Sequence, residues 1–294
     1  MKHKDELGKR MKEFYEVRAR GYLTRRTPVI VRVDGKAFHT FCRRFEKPYD
    51  DFLNESLNQV MKSLCEKIQG AKFGERHSDE ISILVTDYDT ITTDAFFEYE
   101  VQKICSITAS MATAEFCRQL IAGEKERLKK YTSPANSPEE LEKRTKFQKA
   151  NDKVILSFDE RWPTFDARCF NLPEDEIGNY FWWRMIDAKR GSINMYAQAN
   201  FSHKELQGLS CNDMQEKLWQ EKQVNWGTLP QGKKIGFTCR KVQAPKEIEA
   251  GPQKGEIIMR NEWAVEGSPS NRSELEEVIS SIGLVKQEEG ETKE

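Results

Sequence analysis

The chain has 294 residues, and its 47 Lys and Arg stand against 48 Asp and Glu, which excludes both a uniformly basic nucleic-acid binder and an acidic solubilising chain. With 37% hydrophobic residues, 17 Gly and 10 Pro it falls outside the collagen-like and low-complexity classes. No apolar run reaches the roughly 20 residues of a membrane span, the first residues lack the apolar core of a secretion signal, and 7 scattered cysteines without a C-x-x-C pair point to reduced thiols in a cytoplasmic protein.

Residues 7–20 are densely charged, with apolar Leu7, Met11, Phe14, Tyr15 and Val17, the pattern of an amphipathic helix. Val29-Ile30-Val31-Arg32-Val33, after Pro28 and before Asp34-Gly35, predicts a strand. Over residues 50–68, Phe52, Leu53, Leu57, Val60, Met61, Leu64, Cys65 and Ile68 recur at helical spacing, and Gly70 marks the end. Residues 71–73 and 81–85 then predict two strands joined in a hairpin, with a polar turn over 74–78. Residues 95–120 hold no Gly or Pro and predict a long helix, and 165–173 predict a fourth strand. The order strand, helix, strand, strand, helix, strand is an α+β, ferredoxin-like βαββαβ layout with an antiparallel sheet. Between them, 123–152 is rich in Lys and Glu and broken by two Ser-Pro pairs, so it reads as an exposed, partly helical insertion. Helical patterning returns over 178–218, where Trp182, Trp183, Met185 and Ile186 are expected in a core or an interface. After Glu262 the chain turns acidic and rich in Ser and Gly, and its last residues are expected to be disordered.

In a βαββ order the first and third strands can lie side by side and antiparallel, so the end of one meets the beginning of the other. Asp34 ends the first strand and Asp79-Glu80 begin the third, which brings Asp34 and Asp79 to one sheet edge. Facing carboxylates suit a pair of hard, oxygen-liganded cations, Mg²⁺ first, and Gly35 leaves room for a phosphate and offers its carbonyl. Such a centre resembles those of two-metal nucleotidyl transfer. Acids at strand ends are also ordinary turn and cap residues, so the pattern alone leaves both readings open.

Five segments carry more than that pattern: Arg32-Val33-Asp34-Gly35-Lys36-Ala37-Phe38-His39, Phe45-Glu46-Lys47-Pro48-Tyr49-Asp50, Ser78-Asp79-Glu80-Ile81-Ser82, Phe96-Phe97-Glu98-Tyr99-Glu100-Val101-Gln102-Lys103-Ile104 and Phe165-Asp166-Ala167-Arg168. In order and spacing they resemble the histidine-tRNA guanylyltransferase family, over most of the chain to Arg240. The resemblance implies a polymerase-like palm that adds nucleotides in the 3′-to-5′ direction to the 5′ end of tRNA. It implies Asp34 and Asp79 as ligands of two Mg²⁺ ions, the Gly35 carbonyl as a further ligand and Glu80 as an accessory acid. It also implies a nucleotide-binding segment of Asp34, Gly35, Lys36, Ala37, Phe38 and His39, completed by Ser78 and Asp79. ATP would activate a 5′-monophosphorylated tRNA by adenylylation, and the 3′-hydroxyl of GTP or another nucleoside triphosphate would then attack. A homotetramer is the family-like assembly.

On this reading residues 1–173 form the palm-like catalytic domain including the insertion, 174–260 a helical C-terminal extension of the catalytic unit, and 261–294 an acidic, partly disordered tail. Eukaryotic enzymes that add guanosine to histidine tRNA carry His-Ile-Asn followed by Asn-Leu-Tyr-Asn. Here the comparable stretch reads Gly191-Ser192-Ile193-Asn194-Met195-Tyr196-Ala197-Gln198. It is more similar to the bacterial-type, guanylyltransferase-like branch, which implies template-directed repair of 5′-truncated tRNA. The alternatives are guanylyl addition to histidine tRNA, a nucleotidyl cyclase on the same palm, and an RNA-binding module without chemistry. The charge balance agrees with an RNA partner: nine acids and three bases follow from Glu262 on, so the residues before it hold a surplus of five bases. Lys9, Arg10, Lys12, Arg18, Arg20, Arg25, Arg26, Arg43 and Arg44 are the bases nearest the candidate site in sequence.

Overall fold

A computed structural model describes residues 2–132, 137–138, 162–248 and 255–283. β1 (Val29–Gly35), β2 (Ala71–His77), β3 (Glu80–Val85) and β4 (Phe165–Asn171) form the antiparallel core of the sheet, in the order β4-β1-β3-β2, as the ferredoxin-like layout requires. β1 is buried on both faces, which is why its sequence reads as a continuous apolar run.

On one face Val29, Val31, Val33, Ile81, Ile83 and Val85 pack against α3 (Asp51–Lys67) and α4 (Val101–Thr132). α3 starts where the Asp50 carboxylate accepts a hydrogen bond from Leu53 N (2.8 Å), and it turns Leu57, Val60, Met61 and Leu64 to the sheet. Beyond its end Gly70 takes a φ of 80°, the left-handed conformation expected of a glycine stop. On the other face Ile30, Phe73 and Leu84 pack against Tyr180, Phe181 and Met185 of α5 (Ile177–Asn200) and Leu275 of α9 (Arg272–Ser281).

The turn expected over residues 74–78 is shorter than that. β2 runs straight through Gly74 to His77, and Ser78 and Asp79 alone connect it to β3. Gly74 serves packing: a Cβ there would lie 2.7 Å from Cys65 Sγ and 3.2 Å from Met61 Cγ, so α3 rests directly on the strand. The long helix begins at Val101, because Phe97, Glu98 and Tyr99 all have positive φ and break it from the short turn Phe96–Tyr99. α4 then continues to Thr132, so the first part of the charged insertion is helix, while residues 133–136 and 139–152 of it lie outside the described residues.

The sheet does not stop at four strands. β5 (Phe237–Glu247) pairs with β2, and β6 (Ile257–Gly267) pairs with β5 over its whole length. The helical extension expected over 174–260 comprises α5, α6 (His203–Leu206), α7 (Cys211–Lys222) and α8 (Gln231–Lys234), and it also carries β5 and the start of β6, a hairpin that widens the palm sheet. The region after Glu262, expected as a tail, holds the end of β6 and α9, and residues 284–294 lie outside the described residues. Trp182 packs on the second core, but Trp183 is 53% exposed. α1 (Lys2–Met11) and the helical turns after it leave Leu7, Met11, Phe14, Tyr15 and Val17 all exposed, so the amphipathic stripe has no partner within the described chain. None of the seven cysteines is in a disulfide, and Cys105 and Cys169 bring their sulfurs to 3.7 Å.

Candidate active site where β1 ends and β3 begins

The antiparallel register pairs Val33 with Ile81, which sets Asp34 and Gly35 beside the β2–β3 connection. A Cβ on Gly35 would stand 2.7 Å from Asp79 Oδ2, so the Asp79 carboxylate rests against the α-carbon of the residue that follows Asp34. The expected juxtaposition of Asp34 and Asp79 is present. Asp34 is also directly opposite Asp166 in the β1–β4 ladder, and Arg168 bridges the two, 2.9 Å from Asp166 and 3.8 Å from Asp34.

Burial pushes the Asp79 carboxyl above its ordinary value and the Asp34 charge adds to that, while the Ser78 hydroxyl, donating at 2.8 Å, opposes it. A half-buried acid beside a second acid is a site that favours a cation. Among the described residues no cluster of three or more His, Cys, Asp or Glu makes a closed metal cage. Two carboxylates and a backbone carbonyl do fit Mg²⁺, which keeps waters and takes the rest of its oxygens from substrate phosphates.

The nucleotide segment divides by burial. Lys36, Ala37 and His39 are exposed, whereas Phe38 is 3% exposed and packs on Phe165, Phe41 and Phe116 with ring centroids 4.9 to 5.5 Å away. Phe38, the first residue of the short helix α2 (Phe38–Phe41), thus enters the segment as its anchor, holding a turn in which Ala37 has a φ of 54° and Lys36 N donates to Thr164 O (2.9 Å). His39 and Thr40 share a 3.0 Å hydrogen bond.

A cavity of about 350 Å³ opens from Asp79 and His39 past Lys47 and Tyr49 to Ser192 and Lys233. Burial raises the Tyr49 phenol to about 12, and Lys233 lies 4.5 Å from its ring centroid while pairing with Asp51 at 2.9 Å. Ser192 is buried. It donates to Lys233 O (2.7 Å) and accepts from Trp226 Nε1 (3.0 Å), tying α5 to α8 behind the cavity.

Glu80 does not line this cavity and is paired with Arg184 of α5 instead. It is 7% exposed and ion-paired with Arg32 and with Arg184, whose Nε lies 2.6 Å from Oε1. Arg184 also donates to His77 Nε2 (3.1 Å), which leaves His77 Nδ1–H to donate to the buried Glu75 (3.3 Å). The hairpin carrying Asp79 is therefore fastened to α5 through charges on one face of the sheet.

Sequence reasoning did not single out Arg76, Lys233, Asp166 or Arg168 as site residues. Asp166 and Arg168 lie inside a segment already quoted, at alternate positions of one strand, and that spacing was the available signal. Arg76 and Lys233 left no such trace.

The profile described as "Thg1: tRNAHis guanylyltransferase" matches residues 8–173, more than half of the chain. The chain belongs to this family. It is 27% identical over 216 residues to the tRNA(His) guanylyltransferase of Eremothecium gossypii, covering 68% of this chain and 76% of that one. To the Saccharomyces cerevisiae enzyme it is 26% identical over 227 residues, covering 71% and 80%. Among solved structures, a bacterial tRNA(HIS) guanylyltransferase (Thg1)-like protein in complex with ATP superposes with a TM-score of 0.72 at 37% identity, over 95% of this chain and 100% of that one. The same kind of protein in complex with GTP gives a TM-score of 0.67 at 35% identity over the same shares. Membership makes the chain a nucleotidyltransferase with tRNA and nucleoside triphosphates as substrates, and it sets aside the module without chemistry. No helix of the described residues is long and apolar enough to cross a membrane.

Proposed function

We propose that this chain extends the 5′ end of tRNA in the 3′-to-5′ direction and repairs 5′-truncated tRNA, with Asp34, Gly35 and Asp79 at the reacting phosphates. The observation that carries the proposal is the approach of Asp79 to Gly35 beside a cavity of about 350 Å³, large enough for a nucleoside. Asp34, Asp79 and the Gly35 carbonyl would hold two Mg²⁺ ions. When bound, these supply charge neutralisation for the triphosphate and lower the pKa of an attacking hydroxyl.

The chain's own groups bind and orient. The segment 34–39 curls around the end of β1 on its Phe38 anchor, so Lys36 and His39 stand beside the acids as a cation and a hydrogen-bonding ring. Ser78 fixes the Asp79 carboxylate. Tyr49, kept protonated by burial, and Lys233 form the far wall, suited to a base or ribose. Glu80 acts from its arginine pairs as an accessory acid that orients the hairpin. With no side-chain nucleophile needed, the same pocket serves both steps, adenylylation of the 5′-monophosphate and attack by the incoming 3′-hydroxyl with loss of AMP.

Ser192 supports repair over histidine-tRNA specificity, because its hydroxyl is consumed between Lys233 and Trp226 and no imidazole is presented there. A homotetramer agrees with the unpartnered apolar stripe of α1. The test offers purified protein, Mg²⁺, ATP and all four nucleoside triphosphates two substrates, a tRNA lacking its first nucleotide and an intact histidine tRNA, and sequences the 5′ products. Restoration of the missing nucleotide is expected to be the faster reaction. Faster addition to the intact histidine tRNA would overturn the repair reading.

A further inference from the structure

Arg76 precedes the hairpin tip by two residues and is 1% exposed, among the largest fully buried side chains of the protein. Among the described residues no carboxylate pairs with it. Instead its guanidinium donates from Nε to Asn58 Oδ1 (2.9 Å), from Nη2 to Asn54 Oδ1 (3.3 Å) and from Nη1 to the Ser78 carbonyl (2.6 Å), and it lies 5.0 Å from the centroid of the Phe237 ring. The two asparagines belong to α3 and Phe237 to β5, so one fork joins a helix, a strand and the tip.

Burying a guanidinium on neutral acceptors is costly, and such a group persists where it fixes something. What it fixes here is unusual backbone. Ser78 has a φ of 49°, a conformation that an L side chain rarely adopts, in a loop of two residues where Gly or Asn is the common choice. The bond to its carbonyl opposes relaxation of that residue, and the next residue is Asp79. The other face of the hairpin is held through His77 and Glu80 by Arg184 of α5, and Arg76 holds the Ser78 carbonyl from the α3 side.

We propose that Arg76 is a positioning residue for nucleotidyl transfer: it clamps the Ser78 carbonyl from α3 and thereby sets the Asp79 carboxylate against Gly35. The inference rests on the proposed role of Asp79 and adds a residue that does not itself touch the reacting atoms. A lysine keeps the charge but not the fork, because one ammonium cannot meet Asn54, Asn58 and the Ser78 carbonyl in the same planar arrangement.

The experiment compares full-length wild type with Arg76→Lys by thermal melting, by Mn²⁺ affinity in the presence of ATP from the electron paramagnetic resonance of free Mn²⁺, and by single-turnover adenylylation of 5′-monophosphorylated tRNA at saturating Mg²⁺. In folded Arg76→Lys the Mn²⁺ dissociation constant is expected to rise and the adenylylation rate to fall, each on the order of tenfold, the usual cost of a lost outer-shell partner. Wild-type Mn²⁺ affinity in folded Arg76→Lys overturns the proposal, and so does a loss no greater than the unfolded fraction. If Arg76→Lys does not fold, Asn58→Ala frees the Nε end of the fork; weaker Mn²⁺ binding supports the proposal and unchanged binding overturns it. A wild type that binds Mn²⁺ without modifying tRNA contradicts the functional reading, and the Mn²⁺ comparison still decides the role of Arg76.

Discussion

At Gly35 a methyl group has nowhere to go: a Cβ would meet Phe38 Cδ2 at 2.3 Å and Asp79 Oδ2 at 2.7 Å. Gly35→Ala must displace either the aromatic anchor of the nucleotide segment or the carboxylate itself. The expected result is a loss of about 1–3 kcal/mol in stability from overpacking, read by denaturant melting, together with slower nucleotide addition per folded molecule. Full activity in Gly35→Ala would mean that Asp79 need not approach β1. Asp34, Gly35 and Asp79 were legible in the sequence because strand order alone fixes which residues meet at a sheet edge. Arg76 and Tyr49 were not, because the groups they contact lie on α3, α8 and β5, and neither helical nor strand periodicity reports contacts across such distances. Phe38 shows a third case: its segment was recognised by resemblance, but whether its ring faces ligand or core is decided by Phe41, Phe116 and Phe165 together.

Among the elements, β1 and β3 followed from their apolar runs and α3 from its helical spacing, because their apolar residues are buried. β5 and β6 escaped such patterning, since beyond Cys239 the ribbon is mostly exposed on both sides and its residues need not alternate. The start of α4 escaped for another reason, the positive φ values of Phe97, Glu98 and Tyr99, which no hydrophobic pattern encodes. The join between α4 and α3 has a titratable part. Glu115 of α4 accepts hydrogen bonds from Arg118 (3.0 Å) and Gln119 (2.7 Å) and lies 3.9 Å from Lys67 of α3. Burial would raise its carboxyl, but these partners outweigh it and hold the carboxyl below its ordinary value. A depressed carboxyl contributes stability that is present above the unfolded value, about 4.3, and is lost as the pH falls through the folded one. Glu115→Gln is therefore expected to lower the melting temperature at pH 7 and to narrow its gap to wild type as the pH drops below about 4. A gap independent of pH would show that the pair contributes packing only.

Across the whole molecule, the near-zero charge conceals a basic body and an acidic end. The structure refines which bases are available. Arg20 is held by Glu16 (2.6 Å) and Arg25 by Asp87 (2.5 Å), whereas Arg10, Lys12 and Arg18 lie on the exposed N-terminal arm. If the body contacts tRNA through as few as three phosphates, the logarithm of the binding constant should fall against the logarithm of salt with a slope of about −2 to −3. A binding constant indifferent to salt would place the RNA contact elsewhere than on this charge. The ferredoxin-like sheet and the acids at its edge were both visible in the sequence, because both depend on chain order. The added hairpin and the buried fork behind Asp79 were not, because both depend on residues far apart in the chain.

Whether the reaction is centred on Asp34 and Asp79 is decided by extension of a 5′-truncated tRNA by wild type, Asp34→Asn and Asp79→Asn, each shown to be folded and to bind tRNA as wild type does. Wild type should restore the missing 5′ nucleotide in Mg²⁺, and each variant should be slower by at least about a hundredfold, more than is usual for an outer-shell change. Extension by either folded variant at the wild-type rate would contradict a reaction centred where β1 meets β3.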